Sequence, residues 1–307
     1  RRMEVSAHAL YFDKIAGLKF EAGIFTNCTQ DHLDFFADMK EYAAAKKKLF
    51  EGGRCRFSVL NSDDAAGREI ARFAPSPVTY GLKNPADVFA VDVEERITGV
   101  SFVLNLFDEL YEIRLKMPAV HNVYNAMAAA TCAKLLGINI GTIAGGLSSL
   151  KSVPGRLECA GSFNGAHIFV DFAHTPDGLE KSLQSLKKLC KGRLYCLFGC
   201  GGNRDRSKRP LMGAIAAKYA DFLIITSDNP RYEDPFDIIR EIEEGVKPSG
   251  KAYITVTDRE TATEYAVHLL KEGDVLLVAG KGGETYQEVM GIKHSYNDNT
   301  VIKNIIG

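Results

Sequence analysis

The pattern of hydrophobic and polar positions changes near residue 160. Beyond that point, short runs that are apolar along their whole length alternate with longer amphipathic stretches. The apolar runs lie at 166–170, 193–198, 221–226, 252–256 and 274–279, and the helical patterns at 179–189, 211–219 and 238–246. Apolar strands that alternate with amphipathic helices predict a mostly parallel, doubly wound α/β sheet. Such sheets bind their ligands at the carboxyl ends of the strands.

The first half of the chain has a less regular pattern. Its predicted helices are 38–50, with Asp38 as the N-cap, and 122–136. Its predicted strands are 57–60, which ends in Asn61, and 88–93, 101–106 and 111–116, which we assign to a smaller sheet. Residues 3–6 predict the end of a further strand. Val153-Pro154-Gly155 interrupts the pattern, so we expect a linker there and two domains, 1–152 and 153–307.

Composition limits the classes of function. A length of 307 residues suits two domains, and 46% hydrophobic with 25% charged residues is ordinary for a globular protein. A net charge of −1 favours neither nucleic acid nor an anionic membrane as a partner. No apolar run approaches the ~20 residues of a membrane span, and the first residues lack the apolar core of a signal peptide. The seven cysteines are scattered, which indicates free thiols in a reducing cytoplasm. Nothing indicates oligomerisation, and a monomer is expected.

The segment TSDNPR at 226–231 follows the apolar run of a predicted strand. Pro230 stiffens this segment, so we expect Arg231 to project from a stiffened loop, where its planar guanidinium suits a carboxylate. An ordinary strand-to-helix loop would have the same appearance. Three further segments lie at or after predicted strand ends: VDFAHTPD at 170–177, FGCGGNRDR at 198–206 and AGKGGETYQ at 279–287.

Together these four segments resemble the Mur ligase family, in the form of the members that add the third peptide residue to the cell-wall precursor (MurE type). The resemblance implies the remainder of a central ATPase domain followed by a Rossmann-like C-terminal domain. It implies a cytoplasmic ligase of peptidoglycan synthesis that uses ATP and Mg²⁺. Its substrates would be UDP-MurNAc-L-Ala-D-Glu and meso-2,6-diaminopimelate, joined through an acyl phosphate. Within the family, the Asp-Asn-Pro-Arg form marks use of diaminopimelate.

The resemblance covers the whole chain, but the chain corresponds to only the second half or so of the family's protein. Full-length members carry a uridine-binding domain and a phosphate-binding loop upstream. The motif Gly-x-x-x-x-Gly-Lys-Ser/Thr does not occur here, and Gly280-Lys281-Gly282 has the wrong spacing. We therefore expect the chain alone to lack ligase activity.

Four residues of the first domain acquire roles from the resemblance. Glu4, His32 and a carbamylated Lys46 would bind Mg²⁺, and Ser6 and Lys46 would contact the precursor. From the residues alone, His32 could instead cap its loop and Lys46 could lie on a solvated basic helix face. The family's Glu-Val-Ser-Ser-His is changed here by Ala7.

The nucleotide would be bound by residues from both domains. Asn125 would contact the adenine, Arg156 a phosphate and Asp171 the ribose hydroxyls, with His174 near the phosphates. Asn122 lies one helical turn before Asn125 and could simply be a helix N-cap. Two residues that precede Asn125, Ala119 and His121, differ from the family's glycine and phenylalanine.

Diaminopimelate would be bound by five residues of the second domain: Arg204, Asn229, Arg231, Gly280 and Glu284. Arg204 and Arg231 would bind its far carboxylate, and Glu284 its far ammonium. The basic run at 204–209 could instead be an exposed loop, but the preceding glycines favour an anion site. The usual histidine of the family's Gly-Lys-Gly-His-Glu is Gly283 here.

Two other functions stay open. A lysine-adding relative is disfavoured by Arg231. A non-catalytic binding protein of the same fold would fit a naturally short chain. A phosphate-binding loop in the upstream reading frame would favour the enzyme.

Overall fold

The computed structural model describes residues 2–28 and 35–307, and these form two compact units. The first unit comprises the described residues up to Glu95 together with Gly99–Leu150. The second comprises Arg96–Thr98 and Lys151–Gly307. Each unit is built on its own six-stranded, parallel-rich sheet. The predicted α/β fold class is therefore confirmed.

The first unit contains six strands and five helices among its described residues. Its strands are β1 (Phe20–Phe25), β2 (Cys55–Asn61), β3 (Pro77–Gly81), β4 (Val88–Arg96), β5 (Gly99–Leu106) and β6 (Glu109–Leu115). Its helices are α1 (Ala7–Tyr11), α2 (Met39–Lys47), α3 (Ala65–Ile70), α4 (Val120–Leu135) and α5 (Ile140–Ser149). The strands lie in the order β1 to β6; β1 to β4 pair in parallel, and β5 with β6 in antiparallel fashion.

The smaller separate sheet predicted for 88–93, 101–106 and 111–116 is wrong. These segments form β4, β5 and β6, and they continue the sheet begun by β1. The connection is made at the start of β4, where Val88 and Phe89 pair in parallel with the last residues of β3. One core results, in which Val123 and Met127 of α4 pack with Val59 and Phe102 of the sheet.

The strand end predicted at residues 3–6 is also wrong. These residues have no regular secondary structure and pair with no described strand. Ser6 has an extended backbone because it is the N-cap of α1, where its Oγ accepts the Ala9 N–H at 3.2 Å. Sequence reasoning took the extended conformation of a cap for that of a strand.

The helix predicted at 38–50 is confirmed, although its last turn is tighter. Asp38 caps α2 by accepting the N–H groups of Lys40 and Glu41 at 2.8 and 2.9 Å. The final residues, Lys48–Phe50, form a 3₁₀ turn. Phe50 is buried there beside Phe25 and Leu60.

The second unit alternates strand and helix as predicted. Its strands are β7 (Glu158–Phe163), β8 (Ala166–Asp171), β9 (Leu194–Phe198), β10 (Phe222–Ile225), β11 (Tyr253–Thr255), β12 (Val275–Ala279), β13 (Tyr286–Val289) and β14 (Ile292–Ser295). Its helices are α6 (Pro176–Leu189), α7 (Lys208–Tyr219), α8 (Pro235–Val246), α9 (Arg259–His268) and α10 (Asp298–Ile306). The five predicted strands and three predicted helices are confirmed, whereas β7, β13, β14, α9 and α10 were not predicted.

The main sheet of this unit has the order β11-β10-β9-β12-β8-β7. All neighbours are parallel except β7 and β8. Strands β9 and β12 are buried along their whole length, as expected for a parallel sheet covered by helices on both faces. The carboxyl ends of β8, β9, β10 and β12 therefore open onto one edge, where the loops from 172, 199, 226 and 280 begin. None of the described helices is long and apolar enough to cross a membrane.

Candidate functional site

Loops that follow three parallel strands are hydrogen-bonded to one another at this edge of the second unit. Gly202, after β9, donates its N–H to the Asn229 carbonyl at 2.9 Å. Asn229, after β10, donates through Nδ2 to Glu284 Oε2 at 3.0 Å. The structure thus brings together the glycine-rich, Asp-Asn-Pro-Arg and Gly-Lys-Gly-Gly-Glu segments that the sequence singled out.

A buried polar cluster joins Asn229, Lys281 and Glu284. Lys281 is fully buried, and its ammonium donates to Asn229 Oδ1 at 2.9 Å and to Glu284 Oε2 at 3.0 Å. Asn229 Oδ1 also accepts the N–H of Glu288 at 2.9 Å. Burial of an ammonium is costly unless it is paired, so the two oxygen partners fix Lys281 and hold the Asn229 amide and the Glu284 carboxylate in place. Glu284 keeps a quarter of its side chain exposed.

The side chain of Arg231 contacts the glycine-rich loop and strand β13. Its Nε lies 3.3 Å from Glu288 Oε2, and its Nη1 donates to the Gly202 carbonyl at 2.8 Å. Its backbone has a positive φ of 52° and bridges to Val289 of β13. Sequence reasoning predicted that Arg231 would project from a stiffened loop; it is instead held against the glycine-rich loop and β13.

A cavity of about 530 Å³ opens beside the same loop. Arg231, Gln287 and Thr257 are among the residues that line it, whereas Asn229 and Glu284 are not. The cavity is large enough for a ligand of amino-acid size. It lies next to the Arg231 loop.

The basic run at 204–209 does not form a uniform basic surface. Arg204 is exposed, beside Gly201, while Arg206 pairs with Glu241. Arg209 is fully buried and binds both Glu233 and Glu241, at 2.9 and 2.8 Å. The alternative of an exposed basic loop therefore fails for Arg209, whose charge is neutralised inside the unit.

Gly280 is needed for the close approach of two loops. Its φ is 111°, and a Cβ at this position would lie 2.7 Å from Asp228 Oδ2. Its N–H donates to the Asp171 carbonyl at 3.0 Å. Any side chain would strain the backbone and displace the Asp228 carboxylate.

The predicted nucleotide residues of the second unit gather around Phe172. The Arg156 guanidinium lies 5.3 Å from the Phe172 ring centre, and the His174 ring lies 4.5 Å from it. Asp171 is buried, and its two oxygens accept the N–H groups of Leu157 at 2.6 Å and Ala173 at 2.7 Å. Burial raises the pKa of the Asp171 carboxyl to about 6, although the two N–H groups and Arg156 act in the opposite direction.

Asn125 lies exposed on the first turns of α4 in the other unit, and Asn122 is buried beneath it. The alternative that Asn122 is an N-cap is wrong. Ala119 occupies that position with a φ of 77°, and Asn122 Nδ2 donates to the Pro118 carbonyl at 2.7 Å. Asn122 Oδ1 lies 3.4 Å from Asn125 Nδ2, so the buried asparagine supports the exposed one.

Asp63 holds the neighbouring Tyr124. The tyrosine hydroxyl donates to Asp63 Oδ2 at 2.7 Å, and the N–H groups of Leu82, Lys83 and Asn84 donate to the same carboxylate. Burial acts to raise the pKa of Asp63, but these donors outweigh it and lower the pKa to about 2. Asp63 therefore ties a loop of the sheet to the helix that carries Asn125.

The structure does not test the predicted metal residues as a set, because one of the three lies outside the described residues. Lys46 Nζ donates to the Asn27 carbonyl at 3.0 Å and lies 4.7 Å from the Tyr42 ring centre. Glu4 is exposed in the segment before α1, and His32 lies outside the described residues. Across residues 2–28 and 35–307, no group of three or more His, Cys, Asp or Glu side chains could hold a metal ion. Ser6 uses its hydroxyl to cap α1.

Comparison with known proteins identifies the family to which this architecture belongs. The model of the Mur ligase middle domain matches residues 2–133, and the model of the Mur ligase glutamate ligase domain matches residues 155–282. The chain belongs to the Mur ligase family. As a Mur ligase, it carries the matched middle domain in its first unit and the matched C-terminal domain in its second.

Two similar Mur ligases have the name UDP-N-acetylmuramoyl-L-alanyl-D-glutamate–2,6-diaminopimelate ligase. The one from Caldanaerobacter subterraneus is 42% identical over 305 residues, and the one from Syntrophomonas wolfei is 43% identical over 309 residues. In both cases the match covers 99% of this chain and 63% of the relative. The chain therefore spans less than two thirds of the length of these relatives.

Solved structures agree with the fold. A structure of a ligase with the same name is 32% identical, with a TM-score of 0.66, and the match covers 99% of this chain and 63% of that one. A pseudomurein peptide ligase type C from Methanothermus fervidus gives a TM-score of 0.71 at 23% identity, covering 98% of this chain and 66% of that one. The latter supports the fold alone.

Three residues of this Mur ligase were missed by sequence reasoning. Lys281 was considered only as part of a phosphate-binding loop with the wrong spacing. Glu288 and Asp63 gave no signal in the sequence. Their partners, Arg231 and Tyr124, are brought near by pairings that the sequence did not predict.

Proposed function

We propose that this chain acts in an ATP-dependent amide ligase that adds meso-2,6-diaminopimelate to UDP-MurNAc-L-Ala-D-Glu. The observation that carries the proposal is that Arg231 and the Asn229–Glu284 pair lie at the same edge of the second unit, where Glu288 contacts both Arg231 and Asn229. Fixed groups of opposite charge there match an amino acid that has both a carboxylate and an ammonium at its far end. The names of the matched relatives support the same reaction.

The side chains of the proposed amino-acid site are held in position before a ligand binds. Lys281 and Asn229 both hold Glu284 Oε2, so the Glu284 carboxylate is oriented before a ligand binds. That carboxylate would receive the ligand's far ammonium, while Arg231 and Arg204 would receive the far carboxylate. Prior orientation removes ordering costs at binding and places the other amine for attack on the acyl phosphate.

Nucleotide binding is assigned to Asn125, Arg156, Asp171 and His174. Arg156 would supply positive charge to a phosphate, and Asp171 would accept from ribose hydroxyls through the remaining lone pairs of its oxygens. Asp171 also orders the loop, because it binds the N–H groups of Leu157 and Ala173.

Magnesium belongs to the proposal through Glu4, His32 and a carbamylated Lys46, with Ser6 and Lys46 on the precursor. An ammonium cannot ligate a cation, so Lys46 would have to leave the Asn27 carbonyl and become a carbamate. His32 lies outside the described residues, so no step is assigned to the metal. We propose a cytoplasmic monomer with domains 1–152 and 153–307.

Replacement of Arg231 tests the assignment of the amino acid. In the complete gene product, Arg231→Ala should lower kcat/KM for meso-diaminopimelate about tenfold or more beyond its effect on L-lysine. The reason is that charge-assisted hydrogen bonds to the far carboxylate are lost only for diaminopimelate. Arg206→Ala is the matched control, because Arg206 is exposed and pairs with Glu241 on α8. Equal losses for both amino acids would mean that Arg231 only holds the loop, and a lysine-adding or non-catalytic function would then be favoured.

A further inference from the structure

Arg231 already has a counter-charge within the chain. Its Nε lies 3.3 Å from Glu288 Oε2, and both side chains are largely buried, at 18% and 21% exposure. The Gly202 carbonyl accepts from Nη1 on another side of the guanidinium, at 2.8 Å. The cation is therefore both neutralised and fixed in orientation by the protein itself.

The backbone keeps Glu288 at this position. Arg231 donates its N–H to the Glu288 carbonyl at 3.1 Å, and Met290 donates to the Arg231 carbonyl at 2.7 Å. The N–H of Glu288 is bound by Asn229 Oδ1. These bonds set the register between the Asp-Asn-Pro-Arg loop and β13, so the ion pair follows from the fold and is more than a chance surface contact.

An internal counter-charge changes how the site distinguishes ligands. A site built around a lone guanidinium rejects an amino acid without a far carboxylate, because binding would leave the cation buried and unpaired. Here Glu288 stays paired with Arg231 when such an amino acid binds. The pairing with Glu288 also weakens the attraction of Arg231 for the far carboxylate of diaminopimelate. Both effects act in one direction and reduce the preference for diaminopimelate over lysine.

We propose that Glu288 is a specificity-determining positioning residue, which acts through Arg231 to limit the discrimination between diaminopimelate and lysine. The inference rests on the proposed function, because it assumes that Arg231 faces the far end of the incoming amino acid. It predicts that removing the negative charge of Glu288 increases the preference for diaminopimelate over lysine. A purely structural role for Glu288 predicts instead that its loss weakens the binding of both amino acids alike.

Equilibrium titration of the 307-residue chain with meso-diaminopimelate and with L-lysine, by calorimetry or NMR, tests the proposal without any need for turnover. Glu288→Gln keeps the shape and a hydrogen-bond acceptor but removes the charge. The ratio of the two Kd values should shift about five- to tenfold towards diaminopimelate. Glu264→Gln, at an exposed position of α9, is the matched control and should leave the ratio unchanged.

A double-mutant cycle separates action through Arg231 from general effects on the fold. In an Arg231→Ala background, Glu288→Gln should no longer change the ratio, because the partner is gone. If the wild type binds both amino acids and Glu288→Gln leaves the ratio of the two Kd values unchanged, the role of Glu288 is refuted but the assignment of the amino-acid site is not. A change that persists in the Arg231→Ala background also refutes the role of Glu288. A wild type that binds neither amino acid overturns both this inference and the assignment of the amino-acid site.

Discussion

Replacing Asp298 by Asn should destabilise the second unit strongly. Asp298 and Arg259 are both fully buried, and they form two hydrogen bonds, from Nε to Oδ1 at 2.8 Å and from Nη2 to Oδ2 at 2.9 Å. In the wild type, burial acts to lower the pKa of Arg259, but Asp298 outweighs it and raises that pKa. The guanidinium stays charged in the variant because its ordinary pKa is far above neutral. Asn would leave this cation buried without its counter-charge.

The expected loss in the free energy of unfolding is about 3–5 kcal/mol, the usual cost of breaking a buried ion pair. Arg259 Nη2 also donates to the carbonyl of Ala279, the last residue of β12. The loop that begins at Gly280 should therefore lose protection from hydrogen exchange together with α9 and α10. A double variant, Arg259→Met with Asp298→Leu, should recover much of the loss, because no charge is then left buried.

Urea unfolding followed by circular dichroism measures the change, since the chain has no tryptophan. Hydrogen exchange resolved by peptide assigns the change to one unit, because two units need not unfold as a single transition. Asp237→Asn, which removes an exposed partner of Arg240, is the control and should cost within about 0.5 kcal/mol. A loss below about 1 kcal/mol in Asp298→Asn, or an equal loss of protection in the first unit, would refute the reasoning.

Two further predictions concern single residues. Lys46→Ala in the complete gene product should nearly abolish turnover, and a short carboxylic acid should restore part of it, with Lys48→Ala as the control. Loss of turnover without rescue would point to the Asn27 contact as the only role of Lys46. For Asp171, burial raises the pKa from 3.8 to about 6. The carboxyl therefore stabilises the fold fully below about pH 4, and this contribution, about 3 kcal/mol, is lost as pH rises through about 6. The free energy of unfolding of the wild type should accordingly fall relative to that of Asp171→Asn between pH 4 and 7, and a constant difference would contradict the pKa shift.

The periodic elements of the second unit could be predicted because their burial is uniform. Strands β9 and β12 are covered on both faces, so every position is apolar and the signal is strong. The hairpin of β13 and β14 gave no such signal, because its residues are half-buried or exposed. The extent of the first sheet was missed for another reason: strand β3, whose Tyr80 pairs in parallel with Val88, was not predicted, so β4 had no predicted neighbour in that sheet.

The candidate site was likewise predicted only in part. The segments around Asn229 and Glu284 were found because glycines and prolines at strand ends have a local signature, and the structure brings them within 3.0 Å of each other. The partners that set their chemistry were not found. The pairing of Arg231 with Glu288 depends on the register of β13, and the burial of Lys281 depends on the packing of two loops. Neither property can be inferred from one segment alone.

The most direct test of the proposed function is ligation itself. The complete gene product is incubated with ATP, UDP-MurNAc-L-Ala-D-Glu and either meso-diaminopimelate or L-lysine, and the tripeptide product and ADP are quantified by mass spectrometry. We expect equal amounts of ADP and of the diaminopimelate tripeptide, with kcat/KM for lysine at least about tenfold lower. Absence of product with both amino acids, or a preference for lysine, would contradict it.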